Sequence, residues 1–92
     1  MRTIHKYTLP LKDISIITMP VEAQIISCGT QNSSIVIWAI VESDNPEETR
    51  SFRICGTGHP LEIDNNYREN MVFIASVQDS MNGLVFHIFE IK

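Results

Sequence analysis

Cys55-Gly56-Thr57-Gly58-His59-Pro60 concentrates more chemistry than any other short stretch of this sequence. Two glycines around a small hydroxyl residue let backbone N–H groups converge into a concavity suited to an anion. Arg53 lies just upstream, and its planar fork matches a phosphate or carboxylate bidentately. His59 adds a donor when protonated. Arg53, Gly56, Thr57, Gly58 and His59 are therefore candidate ligand-binding residues for a small phosphorylated ligand. The stretch is neither a dinucleotide fingerprint, lacking its third glycine, nor a P-loop, lacking the Gly-Lys-Ser/Thr ending. The competing reading is a tight turn: the glycines take positive φ, Pro60 fixes the exit, and Arg53 makes an ordinary salt bridge.

Trp38 is the remaining ligand candidate, either a core residue or a planar ring that stacks a base. Catalytic groups are harder to find. Cys55 and His59 would form a nucleophile and base, but no third group orients them. His5, His59 and His87 are scattered, with no Cys-x-x-Cys or paired carboxylate beside them, so no metal site is expected. His87 has apolar strand neighbours and reads as a hydrogen-bonded core or interface histidine. A non-enzymatic protein without cofactor is the expectation.

The elements that must position these residues are strands. Short runs rich in Ile, Val and Phe, separated by Asn, Gly, Pro and Ser, predict an all-β domain: a small antiparallel sandwich or barrel of six to seven strands. Thr3 to Leu9 alternates and Pro10 ends it, since proline cannot donate to a ladder. Ile14 to Thr18 is a short strand or a segment laid over the core. The run Gln24 to Cys28 and the run Ile35 to Val41 flank a polar turn from Thr30 to Ser34, which predicts a hairpin. Ile35 to Val41 is apolar on both faces, as in a mid-sheet or interface strand.

Asp44 to Glu48 reads as an acidic turn in preference to one helical turn. Thr49 to Cys55 alternates, with Phe52 and Ile54 toward the core and Ser51, Arg53 and Cys55 toward a polar face. Arg50, three residues from Arg53, points the opposite way. The polar stretch around Asn65-Asn66 is the longest predicted loop. Met71 to Gln78 and Leu84 to Ile91 form a last hairpin, with left-handed backbone supplied by Asn82-Gly83.

The chain of 92 residues suits one domain, 1–92, with a stability margin thin enough to favour a homo-oligomer. Seven basic against eleven acidic residues argue against binding to nucleic acid, which rests on neutralising phosphates. With 43% hydrophobic and 20% charged residues, disorder is excluded as the main state. Cys28 and Cys55 are too few for a disulfide scaffold and read as reduced core thiols. No run reaches the length of a membrane span and no secretory leader is evident, so a soluble cytosolic protein is expected.

Six segments, in order, carry a resemblance: Thr3-Ile4-His5-Lys6-Tyr7, Met19-Pro20, Gln24-Ile25-Ile26-Ser27, Ile37-Trp38-Ala39-Ile40-Val41, Phe52-Arg53-Ile54 running into Gly56-Thr57-Gly58-His59-Pro60, and Leu84-Val85-Phe86-His87-Ile88-Phe89-Glu90. Together they resemble a family of small phage and prophage proteins of unassigned function. That family's central hairpin often turns at Asn-Gly, where this chain has Asn32-Ser33. The resemblance implies no catalytic residue. It implies a phage-encoded accessory protein in the host cytoplasm, acting against host defence by sequestering a signalling nucleotide at an oligomer interface. The alternatives are an inhibitor that meets a host enzyme through Asp44, Glu47 and Glu48, and a minor virion component.

Overall fold

A computed structural model describes residues 1–60, 70–79 and 83–92. Seven strands are seen among them: β1 (Arg2–Leu9), β2 (Ile14–Pro20), β3 (Gln24–Gln31), β4 (Ser34–Glu42), β5 (Glu47–Gly56), β6 (Met71–Gln78) and β7 (Val85–Ile91). They form two antiparallel sheets, a three-stranded one ordered β1-β4-β3 and a four-stranded one ordered β2-β5-β7-β6. The predicted all-β sandwich is the fold.

Residues paired across a ladder share a face, so the register sorts every side chain. Leu9, Ile35, Ile37, Ala39 and Val41 from one sheet meet Met19, Phe52, Ile54, Val77 and Ile88 from the other in a single core. Phe52, Ile37, Met19 and Ile88 are wholly buried. β4, the strand that reads as apolar on both faces, is flanked by β1 and β3, and β7 lies between β5 and β6. Ile14 to Pro20 is a full edge strand, where the sequence left its character open.

The turns follow local chemistry. Asn32 and Ser33 both take positive φ, 52° and 66°, closing the β3–β4 hairpin with the two-residue geometry in which glycine usually follows asparagine. Gly83 has φ 68° in the last hairpin, while Asn82 lies outside the described residues, as does the Asn65-Asn66 stretch. The acidic segment is a turn, anchored where Asn45 Nδ2 donates to the Val21 carbonyl and Val21 N to the Pro46 carbonyl. One expectation fails. The polar face of β5 is not open to water along its length, because Arg53 and Cys55 are about as buried as Phe52 and Ile54. The chain after β5 folds back on that side, and the carbonyls of Cys55's own loop close over it.

Candidate functional site

Gly56 to His59 is a tight turn. His59 N donates to the Gly56 carbonyl at 3.0 Å, Gly58 takes φ 86°, and Thr57 N donates to the Val85 carbonyl at 3.1 Å. Positive φ at the third turn position is the reason for Gly58, since a Cβ is strained there. Gly56 has φ outside the left-handed region and makes a different contact. The His59 ring lies against it, and an added Cβ would come within 2.7 Å of Nδ1. The N–H groups of Thr57 and His59 thus serve the turn and the ladder instead of converging on an anion.

Arg53 is 4% exposed. Its Nη1 donates to the carbonyls of Ile54 and Asp13, and its Nη2 to the Pro60 carbonyl at 3.1 Å. The carboxylate of Asp13 is 3.4 Å away. Arg53 therefore pins the turn from beneath. Cys55 Sγ rests on the carbonyls of Gly56 and His59, each at 3.5 Å, and faces backbone acceptors. Both cysteines are free thiols, and burial pushes the Cys28 thiol above its ordinary pKa. Trp38 is half-buried on the outer face of the three-stranded sheet, opposite Lys6 and Ser27 and against Gly29. It sits on a different sheet from the turn, so the structure brings Arg53, Gly56, Thr57, Gly58 and His59 together without Trp38.

What the turn does meet is His87. Thr57 Oγ1 lies 2.7 Å from His87 Nε2, and Ser76 Oγ lies 2.7 Å from His87 Nδ1, so the turn after β5, β6 and β7 each contribute one member of a hydroxyl–imidazole–hydroxyl rung. In the neutral ring one nitrogen donates and the other accepts. Once protonated, both donate to the hydroxyl oxygens, and both hydroxyl hydrogens are then free to point outward. Next to this rung on the same face stands an aromatic one, Phe73 opposite Phe89, their rings edge to face at 5.6 Å between centroids. Phe73 is 56% exposed. Beyond it the next rung runs from Met71 and Ile91 through Ser51 to Ile16. On the other side a cleft of about 300 Å³ opens between Gly56, Thr57, His59, Leu84 and Val85.

A hydroxyl beside an imidazole is also the beginning of nucleophilic catalysis. Here the second ring nitrogen meets another hydroxyl where a carboxylate would be needed to stabilise an imidazolium. The backbone N–H groups of Thr57 and His59 already have partners. The arrangement suits holding an acceptor-rich group better than breaking a bond.

Sequence reasoning had passed over Phe73 and Ser76 and given His87 a structural role. The alternation of β6 and β7 carried a signal, since Phe89 and His87 are successive residues on one face. The bulge between Phe73 and Ala75 hid the matching alternation in β6. No group of three or more His, Cys, Asp or Glu among the described residues is arranged to hold a metal ion. No described helix is long and apolar enough to cross a membrane. Residues 1–92 match the family described as Domain of unknown function (DUF7352), and the chain belongs to that family. No curated protein and no solved structure matches it.

Proposed function

We propose that this member of the DUF7352 family is a non-enzymatic binding protein that works as a homo-oligomer and holds a small phosphorylated ligand of nucleotide type on the outer face of the four-stranded sheet. The observation that carries the reading is the pair of neighbouring rungs, exposed Phe73 on Phe89 beside Ser76–His87–Thr57. Successive same-face residues of a strand are about 7 Å apart, a span that a base and its sugar bridge. A base stacked on Phe73 gains about 1 to 3 kcal/mol by the usual measure of such contacts. The hydroxyls of Thr57 and Ser76, on either side of His87, then meet the phosphate. His59, exposed at the rim of the adjoining cleft, is a second donor. Arg53 supports this site by holding the turn. The setting, a phage-encoded protein that sequesters a host signalling nucleotide in the host cytoplasm, rests on the resemblance.

Thermal-shift titration with mono-, di- and cyclic nucleotides tests it. A ligand at 100 times its Kd adds about 2.7 kcal/mol to stability. Wild type should be stabilised by at least one nucleotide. Phe73→Ala should lose the shift, and Trp38→Phe, on the other sheet, should keep it. A panel that stabilises nothing, or that shifts Phe73→Ala as much as wild type, removes this reading. The inhibitor with Asp44, Glu47 and Glu48 as contacts, all exposed, the first on the turn and the other two at the start of β5, would then take its place.

A further inference from the structure

We propose that two copies of this chain associate through the free edge of β2, antiparallel about Ile16. This deepens the homo-oligomer part of the reading above and is independent of the ligand. An uncovered edge is a template for another strand, and sheets ordinarily blunt it with charge, a bulge, proline or a covering element. The sandwich has four edges, β1 and β3 in one sheet and β2 and β6 in the other. β1 presents Arg2, His5 and Lys6, all exposed. β3 is bulged between Ile25 and Ser27, and β6 between Phe73 and Ala75. Thr30 Oγ1 of β3 also donates to the Gln78 carbonyl of β6, so these two edges cover one another. From Ile14 to Thr18, β2 has none of these defences among the described residues: the stretch contains no charge and no proline, and its ladder with β5 runs without a shift.

The direction of its backbone groups follows from one bond. Ile54 N donates to the Asp13 carbonyl, so Asp13, Ser15, Ile17 and Met19 turn their backbone toward β5. Ile14, Ile16 and Thr18 turn theirs to the open edge. Pro20 is next in that alternation. It has no N–H to offer there, which ends the pairing surface. A two-fold axis perpendicular to the sheet sets Ile16 opposite its own counterpart and Ile14 opposite Thr18, each pair able to exchange two N–H···O bonds.

No charge within β2 meets a like charge in this register, and the Ile16 side chains, 67% exposed in one copy, cover each other. The edge is thus its own complement in hydrogen bonding, side-chain size and charge. A strand of foreign sequence would find nothing on it to select for, and a second copy satisfies it throughout.

Sedimentation velocity of the full chain at about 100 μM, where association by mass action is visible, tests the proposal. Wild type should be a dimer or an even-numbered assembly. Ile16→Lys places like charges directly opposite and should weaken association at least about tenfold. Ile16→Glu should do the same, and mixing the two variants should restore the assembly. Ile4→Lys, comparably exposed on β1, should leave it intact. Restoration on mixing also shows that both variants fold. An assembly that Ile16→Lys dissociates no more than Ile4→Lys overturns the β2 edge and leaves the homo-oligomer reading standing. A monomeric wild type overturns both.

Discussion

Arg50 and Arg53, three residues apart on β5, are both drawn out of water, one on each face of the same sheet. Arg50 enters the space between the sheets, where Nε and Nη2 donate to the two carboxylate oxygens of Glu90 at 2.6 and 2.7 Å and Nη1 donates to the Ala23 carbonyl. The hydrogen bond to Glu90 holds its guanidinium above the ordinary pKa, with burial working against it. Arg53, on the outer face, is met mainly by backbone carbonyls, and its Nε is the one buried side-chain nitrogen or oxygen without a partner among the described residues. The first arginine is a bidentate clamp from β5 to β7 and to the connection entering β3. The second is a peg under a turn. A buried guanidinium can thus be satisfied by a matching carboxylate or by carbonyls, and the two solutions differ in what is lost when one partner goes.

The largest effect should come from Glu90. Glu90→Gln leaves Arg50 without its carboxylate at a site where Glu90 is only 9% exposed, and breaking such a pair costs about 3 to 5 kcal/mol. Urea unfolding reads this, and the joint change Arg50→Met with Glu90→Leu should recover most of it. A Glu90→Gln loss as small as that of a surface ion pair would erase the contrast between the two arginines. Arg53→Ala should cost less, about 1 to 3 kcal/mol, because it strands the carbonyls of Ile54 and Pro60. Arg53→Lys should recover little, as a single ammonium does not match the fork. Faster hydrogen exchange at the His59 amide, which closes the turn, should accompany both. The smallest effect should come from Asp13→Asn, under about 1 kcal/mol, since Asp13 is 80% exposed. If it cost as much as Arg53→Ala, the charge and not the carbonyls would hold Arg53.

Much of the architecture was legible because its causes are local. Alternation in Thr49 to Cys55, the break at Pro10 and the polar turn at Asn32 follow from neighbours in the chain, and they foretold the hairpins, the central β4 and the all-β class. Ile14 to Pro20 was less legible, since an edge strand with one apolar outer face has no clean alternation. The candidate site was legible only in part. Gly56, Thr57, Gly58, His59 and Arg53 do meet, but as a turn and its peg, and the face beside them is completed by residues the local pattern had assigned to structure or passed over.

By itself the sequence determined which stretches are strands, where they turn and which residues share a face, because a strand's period of two and a turn's backbone geometry are decided within a few residues. It could not decide which faces meet water. Arg53 reaches Asp13 across 40 positions, Thr57 reaches His87 across 30, and Ser76 reaches His87 across 11. Burial depends on what packs over a face from elsewhere in the chain, and a bulge in one strand shifts which side chains align with the next. Only the stacked sheets could turn Arg53 inward, leave Trp38 on the opposite surface, and set His87 between two hydroxyls beside an exposed phenylalanine.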